Sequence, residues 1–372
     1  MHENAYGELH PIVDDSKCKK CGLCQKVCPN NIPPTFYTPI KCYASWILNQ
    51  EEREKCASGG LATAMSKFVL EQGGVVFGTA YNQNLIPSVT YIEDKKDVER
   101  FKGSKYAQSI IGEKTFKQVK LFLLSERLVL FIGTPCQIAG LKGFLQKDYQ
   151  NLITVDLICH GVCPTTYFKE EIKHLTSKFR IHQPKDIRFR GNDKYNYNLS
   201  IWQESGSEST PAYVCSRFEQ PYFIGFRLGI TLRENCYTCN YARPERIGDI
   251  TIGDFLRLGR EKPFPYKVQH PSVVLINDHK GEEFYNQVLK YHGMALINVE
   301  RDYTERLAYK PSLIEPFKKH SKTNEFRQKY LSKGYPKAIR STLRTFIWKE
   351  KTRKTKKQII SYAKSVIKSI LR

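Results

Sequence analysis

Four of the twelve cysteines in this 372-residue chain stand in one short run, CKKCGLCQKVCP. Cys18, Cys21, Cys24 and Cys28 have the spacing C-x2-C-x2-C-x3-C-P, which holds [4Fe–4S] cubanes. The short gaps wrap backbone around the cluster and turn amide N–H groups toward its sulfurs, and soft thiolates match an iron–sulfide core. Zinc sites more often pair two CxxC units across a long gap. In ferredoxin-type motifs three cysteines ligate one cubane, and the fourth ordinarily reaches a second cluster held by a second copy. This sequence contains a single copy.

A second, scattered set has matching chemistry. Cys136 in FIGTPCQIAGLKGF follows an apolar strand; Thr134 suits a helix cap and Pro135 a first helical turn. A thiolate or an anionic cluster is favoured at such a helix N-terminus. Cys159 ends the next strand in DLICHG, and ligand sites in open parallel sheets form at the carboxyl ends of strands. Cys236 and Cys239 supply a CxxC pair in ENCYTCNYARPERIGDITIGDF. These four are enough for a second [4Fe–4S] cluster, although lone cysteines are commonly small buried hydrophobes and a lone CxxC also suits zinc or a dithiol. Ser58, Gly59 and Gly60 precede a helix, where free amides can take a phosphate or pyrophosphate; an ordinary N-cap reads the same way. Gly103, Ser104, Lys105 and Tyr106 could help cradle a dinucleotide. His160 could serve catalysis as a proton donor or be a core histidine. Cys42, Cys56, Cys163 and Cys215 read as structural thiols.

The elements that must position these residues follow from periodicity. Leu61–Gln72 is helical and stops at Gly73-Gly74; VVFGTAY and SVTYI are strands. From about residue 112, helices at Lys114–Ser125, Gln137–Gln146 and Thr166–Phe179 alternate with the apolar strands LVLFI and LITVDLI, the pattern of a parallel sheet. Residues 180–235 read as β-rich. IGDITIGDF and SVVLIN are further strands, and Glu282–Tyr291 is a covering helix. The fold class is therefore an α/β core with a mixed, partly parallel sheet, preceded by a small ferredoxin-like 4Fe–4S module and followed by a basic helical tail. The boundaries expected are 1–36 for the module, 37–111 and 112–330 for two lengths of core, and 331–372 for the tail.

The composition narrows the class. Hydrophobic residues make up 41 %, enough for a core. The N-terminus MHENAYGELHPIVDD has no apolar signal segment, so the cysteines read as intracellular metal or redox ligands rather than disulfides. No run of about 18 apolar residues occurs, and a cytoplasmic protein is expected. The net charge of +22 is concentrated in residues 337–372, which hold twelve Lys/Arg and one acid; this speaks against a nucleic-acid-binding main domain. In the tail, Ile359, Ala363, Val366, Ile367 and Ile370 share one helical face, with Lys357, Lys364, Lys368 and Arg372 opposite. That pattern suits a membrane surface or a partner protein, or a helix packed on its own chain.

Taken together, SGG before a helix, GSKYAQS, GTPCQIAGLKGFL, TVDLICHG and LRENCYTCNYA…IGDITIGDF resemble, in this order, the beta subunits of coenzyme F420 hydrogenases and dehydrogenases. The resemblance runs from about Asp14 to about Lys290. It includes bacterial members found in polysaccharide-synthesis loci, archaeal members and a plant chlorophyll reductase. It implies an iron–sulfur flavoprotein oxidoreductase with a core cluster at Cys136, Cys159, Cys236 and Cys239. It also implies FAD at the Ser58–Gly60 and Gly103–Tyr106 loops, with Gln137 among the contacts. Electrons would pass between the clusters and a flavin that exchanges hydride with a small carrier or substrate, with a redox protein or that carrier as partner. An electron-transfer subunit without substrate chemistry and a degenerate, non-redox scaffold are the alternatives. Relatives commonly carry two ferredoxin motifs, so the chain is expected to begin midway through that module. Cys28, Cys42 or Cys56 would then complete the ligands of the cubane at Cys18, Cys21 and Cys24.

Overall fold

The computed structural model describes all residues except 192–195, 206–209, 310–311 and 371–372; in the last helix the side chains of 351 and 354–370 are also outside the description. Eight strands form the main sheet: β1 (Lys41–Ile47), β2 (Val75–Tyr81), β3 (Pro87–Ile92), β4 (Val129–Gly133), β5 (Leu152–Leu157), β6 (Ile250–Asp254), β7 (Ser272–Ile276) and β8 (Leu296–Arg301). Their order is β8-β1-β7-β6-β5-β4-β2-β3. The run β6-β5-β4-β2 is parallel. On one side β3 closes it antiparallel; on the other, β7, β1 and β8 continue antiparallel. The central strands VLFIG and LITVDL are apolar nearly throughout because a parallel sheet is covered on both faces.

Helices supply that cover. On one face α1 (Leu61–Glu71) and α6 (His279–His292) bury Leu61, Met65, Phe284 and Val288. On the other, α2 (Thr115–Leu124) and α3 (Pro135–Leu145) bury Val119, Leu123, Ile138 and Leu141. The lengths 37–111 and 112–330 share this one sheet: the first contributes β1 to β3, and β1 lies between β7 and β8 from the second.

A second core lies beside the sheet. There α4 (Thr165–Phe179), α5 (Pro221–Arg227) and α7 (Thr323–Ile370) pack with three antiparallel strands at 184–188, 198–203 and 213–216. The helix α7 breaks at Gly334, whose φ of 68° favours glycine, and restarts with Pro336 in its first turn, where a missing N–H costs nothing. The Tyr335 N–H at the break donates to Glu170 Oε2 at 2.8 Å.

This arrangement moves the expected boundary at 331. Tyr335, Ala338, Ile339 and Leu343 are fully buried, and Arg340 pairs with the buried Glu171 at 2.7 Å. The basic helix therefore begins as core. The apolar face at Ile359, Ala363, Val366, Ile367 and Ile370 falls on side chains outside the described residues. Among the described residues, no helix is long and apolar enough to cross a membrane.

The N-terminal segment is also built in. His2–Glu3 and Leu9–His10 form a small hairpin. The buried Glu8 in it accepts from the Glu234 N–H and from Arg327 Nη2, both at 2.8 Å. It thereby caps the short helix Glu234–Tyr237, which carries Cys236.

Candidate iron–sulfur site

The core cysteines converge at one end of the parallel strands. Adjacent strands β4 and β5 lead to Cys136 and Cys159 at their carboxyl ends, the position ligands take in open sheets. Cys136 enters α3 just after Pro135, and the Thr134 N–H donates to Gln137 Oε1 at 2.9 Å, which fixes that first turn. Burial pushes the Cys159 thiol far up, and its neighbours Cys136, Cys236 and Cys239 each push it further. Burial likewise raises Cys236 to about 11 and Cys239 above its ordinary value. Cys159, Cys236 and Cys239 are thus desolvated thiols beside an exposed Cys136, a set that a thiolate-binding cationic core would relieve.

Donors already point at these sulfurs. The Gly161 N–H donates to Cys159 Sγ at 3.4 Å. Val162 does so for Cys236, and Tyr241 and Ala242 do so for Cys239. The Thr134 hydroxyl lies 3.2 Å from Cys136 Sγ. Such N–H groups tune iron–sulfur sites. Among the described residues, no cluster of His, Cys, Asp or Glu closes on a single metal ion; a cubane spaces its four thiolates more widely than one ion does. Four cysteines, three of them with N–H donors at their sulfurs, supply the ligand types that a [4Fe–4S] core takes.

A buried ion pair holds the CxxC loop against the strand that leads to Cys159. Arg246 is 1 % exposed and its Nη2 meets Asp156 Oδ1 at 2.6 Å. The same guanidinium donates to the Tyr241, Arg243 and Leu157 carbonyls. Asp156 Oδ2 accepts from Gly248 N–H at 2.8 Å. Sequence reasoning missed this pair. Its trace was an arginine heading one apolar run, RIGDITIG, and an aspartate inside another, ITVDLI.

In the N-terminal module, Cys18, Cys21 and Cys24 are exposed and Cys28 is half-buried. Left-handed backbone at Lys20 and Gly22 bends the loop, and the Lys20 N–H donates to Cys18 Sγ at 3.4 Å. Cys42 and Cys56 are walled away from it. Cys42 lies in β1, where burial pushes its thiol up to about 12. Cys56 Sγ contacts the Glu52 carbonyl and the Thr63 hydroxyl. Of Cys28, Cys42 and Cys56, only Cys28 is not buried.

The expected flavin contacts divide. The α1 N-terminus at Gly60 (φ 90°) has no side-chain cap, so its first amides can take an anion. Arg190 joins the two loops: it donates to the Ala57 carbonyl, its N–H donates to Gly103 O at 3.2 Å, and Asp254 anchors it at 2.8 Å. Several side chains are committed elsewhere. Ser58 bonds Ser272 at 2.8 Å. Lys105 donates to the Arg100 and Lys102 carbonyls, with burial lowering its amine to about 7. Tyr106 stacks on Phe226 at 4.5 Å. Gln137 serves α3 and Ser109. Gly59 is required by packing, since a Cβ there would lie 2.3 Å from the Ser45 carbonyl. His160 is held between Phe226 and Phe317, donating to the Phe226 carbonyl at 3.0 Å; packing accounts for all of these contacts.

Comparison with known proteins identifies the family and the N-terminal 4Fe–4S module. The family described as coenzyme F420 hydrogenase/dehydrogenase, beta subunit, matches through its N-terminal part at residues 42–113 and its C-terminal part at 126–301. A 4Fe–4S binding domain matches residues 11–33. A curated relative, the coenzyme F420-dependent sulfite reductase of Methanocaldococcus jannaschii, is 23 % identical over 304 residues, covering 80 % of this chain and 45 % of the relative. The chain thus spans less than half that protein's length. A chain of the F420-reducing [NiFe] hydrogenase complex from Methanosarcina barkeri aligns with a TM-score of 0.46 and 17 % identity, over 83 % of this chain and 92 % of that one. With the two beta-subunit matches spanning about two thirds of its length and a 4Fe–4S binding module ahead of them, this chain belongs to the coenzyme F420 hydrogenase/dehydrogenase beta-subunit family of oxidoreductases.

Proposed function

We propose that the chain is an iron–sulfur flavoprotein oxidoreductase that passes electrons between two [4Fe–4S] clusters and an FAD. The FAD in turn exchanges hydride with a small carrier or substrate. The observation that carries the reading is the convergence of Cys136, Cys159, Cys236 and Cys239 from three separate stretches of chain, with backbone N–H donors aimed at the sulfurs of the last three. Cys18, Cys21, Cys24 and Cys28 would hold the other cluster. The α1 amides behind Gly60 would hold the FAD pyrophosphate, with Arg190 keeping the Gly103 loop beside them. A bound flavin supplies two-electron hydride chemistry on one side and single electrons on the other. The protein contributes placement: partial burial of Cys159, Cys236 and Cys239, a helix dipole at the exposed Cys136, and a docked N-terminal module. A redox protein is the proposed partner, and the basic residues after Glu350 are proposed to meet an anionic surface.

Replacing Cys236 and Cys239 together with Ser should lower iron by about four atoms per chain after anaerobic reconstitution. Unchanged iron would make the CxxC structural. The flavin assignment has a separate test in Ala62→Glu. An acid in the first turn favours a helix by roughly 0.3–1 kcal/mol, which offsets part of the cost of enlarging the half-buried Ala62, while the carboxylate opposes a pyrophosphate; circular dichroism first checks that the variant is folded. Extracted flavin should fall sharply. Full occupancy in a folded A62E protein would place the pyrophosphate elsewhere.

A further inference from the structure

The side chains that seat the N-terminal module on the core are not those of the cysteines. Gly143 lies on the exposed side of α3, and a Cβ added there would come 2.4 Å from the Val27 carbonyl. The module backbone therefore approaches this helix more closely than any side chain allows. Gly140, on the same helix, has no such role: a Cβ there would meet only the Phe116 ring, at 3.6 Å. Tyr241 is the second contact. Its buried hydroxyl donates to the Pro29 carbonyl at 3.4 Å, and its ring stacks on Phe36. The phenol stands within electrostatic reach of Cys28 on the module and of Cys136 and Cys239 in the core. A backbone bridge completes the seat: the Tyr37 N–H donates to Arg246 O at 2.7 Å and the Arg246 N–H to Tyr37 O at 2.8 Å.

We propose that Gly143 and Tyr241 are positioning residues that fix the distance between the Cys18–Cys28 module and the Cys136–Cys239 set. Each is tied to a core cysteine by its own short element: Cys136 opens the helix that carries Gly143, and Cys239 immediately precedes the stretch that carries Tyr241. The same two elements that aim the core thiols thereby grip the module at Val27 and Pro29, on either side of Cys28. A single gap results, set by a close backbone approach at Gly143 and by one buried tyrosine side chain at Pro29. A cleft of about 390 Å³ runs along this seam between Val27, Pro33 and Tyr37 on one side and Lys142 and Gly143 on the other; movement of the module would open it further.

The inference rests on the core cysteines holding a cluster, and its test separates the two. Gly143→Ala is compared with Gly140→Ala, Tyr241→Phe and the native chain, all reconstituted anaerobically. Hydrogen exchange is read on peptides covering residues 27–37. Iron content and the magnetic interaction between the two reduced centres are read on the same samples. In G143A, exchange over 27–37 should quicken by about tenfold or more and the interaction should weaken, while iron stays at the native level. Y241F should show the same changes to a smaller degree, and G140A none. Native exchange and native interaction in both G143A and Y241F would overturn the proposal, as would loss of about four irons from G143A, which would make the glycine part of cluster binding. Failure of the core-cluster reading shows instead in the Cys236/Cys239 variant, and the exchange readout does not depend on it.

Discussion

Arg246→Met should destabilise this protein by about 3–5 kcal/mol, because it leaves Asp156 buried without its partner. Asp156 has no measurable exposure and keeps only backbone N–H donors once the guanidinium is gone. Against a total stability of about 5–15 kcal/mol for a typical fold, that is a large fraction. The urea midpoint is the measurement. Iron held at low temperature should fall as well, because Arg246 also ties the Tyr241 and Arg243 carbonyls that follow the CxxC. Combining Arg246→Met with Asp156→Leu removes both charges and should recover part of the loss, as coupled neighbours do. A single-variant cost below about 1 kcal/mol would show that the pair is solvated in solution.

The second large effect concerns the C-terminal helix. A chain ending at Gly334 should fail to fold. It lacks Tyr335, Ala338, Ile339 and Leu343, all fully buried, and Leu or Ile truncation to Ala in a core costs about 2–5 kcal/mol each. It also strips Glu171 of Arg340, leaving a buried carboxylate with Gln220 alone. A chain ending at Arg353 keeps every one of these contacts and should melt within a few degrees of the full chain. Thermal unfolding followed by circular dichroism separates the two. Cooperative melting of the shorter chain near the native temperature would contradict the packing of α7 described above.

Much of this was legible from short-range pattern. Uninterrupted apolar runs such as VLFIG and LITVDL announced the buried parallel strands, and Thr134-Pro135 announced the start of α3. Those two features alone place Cys136 and Cys159 together. The antiparallel half was harder to read. KCYASWI and LINVER pair across most of the chain length, and no local signal says that β1 inserts between β7 and β8. Charge hid the role of α7. Its twelve Lys/Arg from 337 onward suggest a solvated tail, yet the buried positions recur at 335, 338, 339 and 343, a helical stripe inside a basic sequence.

At the site, residue type proved a better guide than side-chain role. Cysteine spacing pointed to the N-terminal set, the second set rested on scattered positions and the family resemblance, and the structure encloses Cys42 and Cys56 while Cys28 stays half-buried in the module's own loop. Lys105, Tyr106 and Gln137 carry groups suited to a cofactor, but their hydrogen bonds and stacking are spent inside the protein. Gly143 and Arg246 gave no warning, because a close backbone approach and a buried ion pair are both long-range facts.

The most direct measurement of the account is the iron, acid-labile sulfide and flavin content of the full chain, purified and reconstituted without oxygen. Two [4Fe–4S] clusters and one FAD predict about eight irons and eight sulfides per chain, with one extractable flavin. The same measurement on the Cys236→Ser/Cys239→Ser variant should give about half the iron with the N-terminal set intact. About four irons in both proteins, or a chain that binds zinc in their place, would contradict the assignment of Cys136, Cys159, Cys236 and Cys239 as cluster ligands.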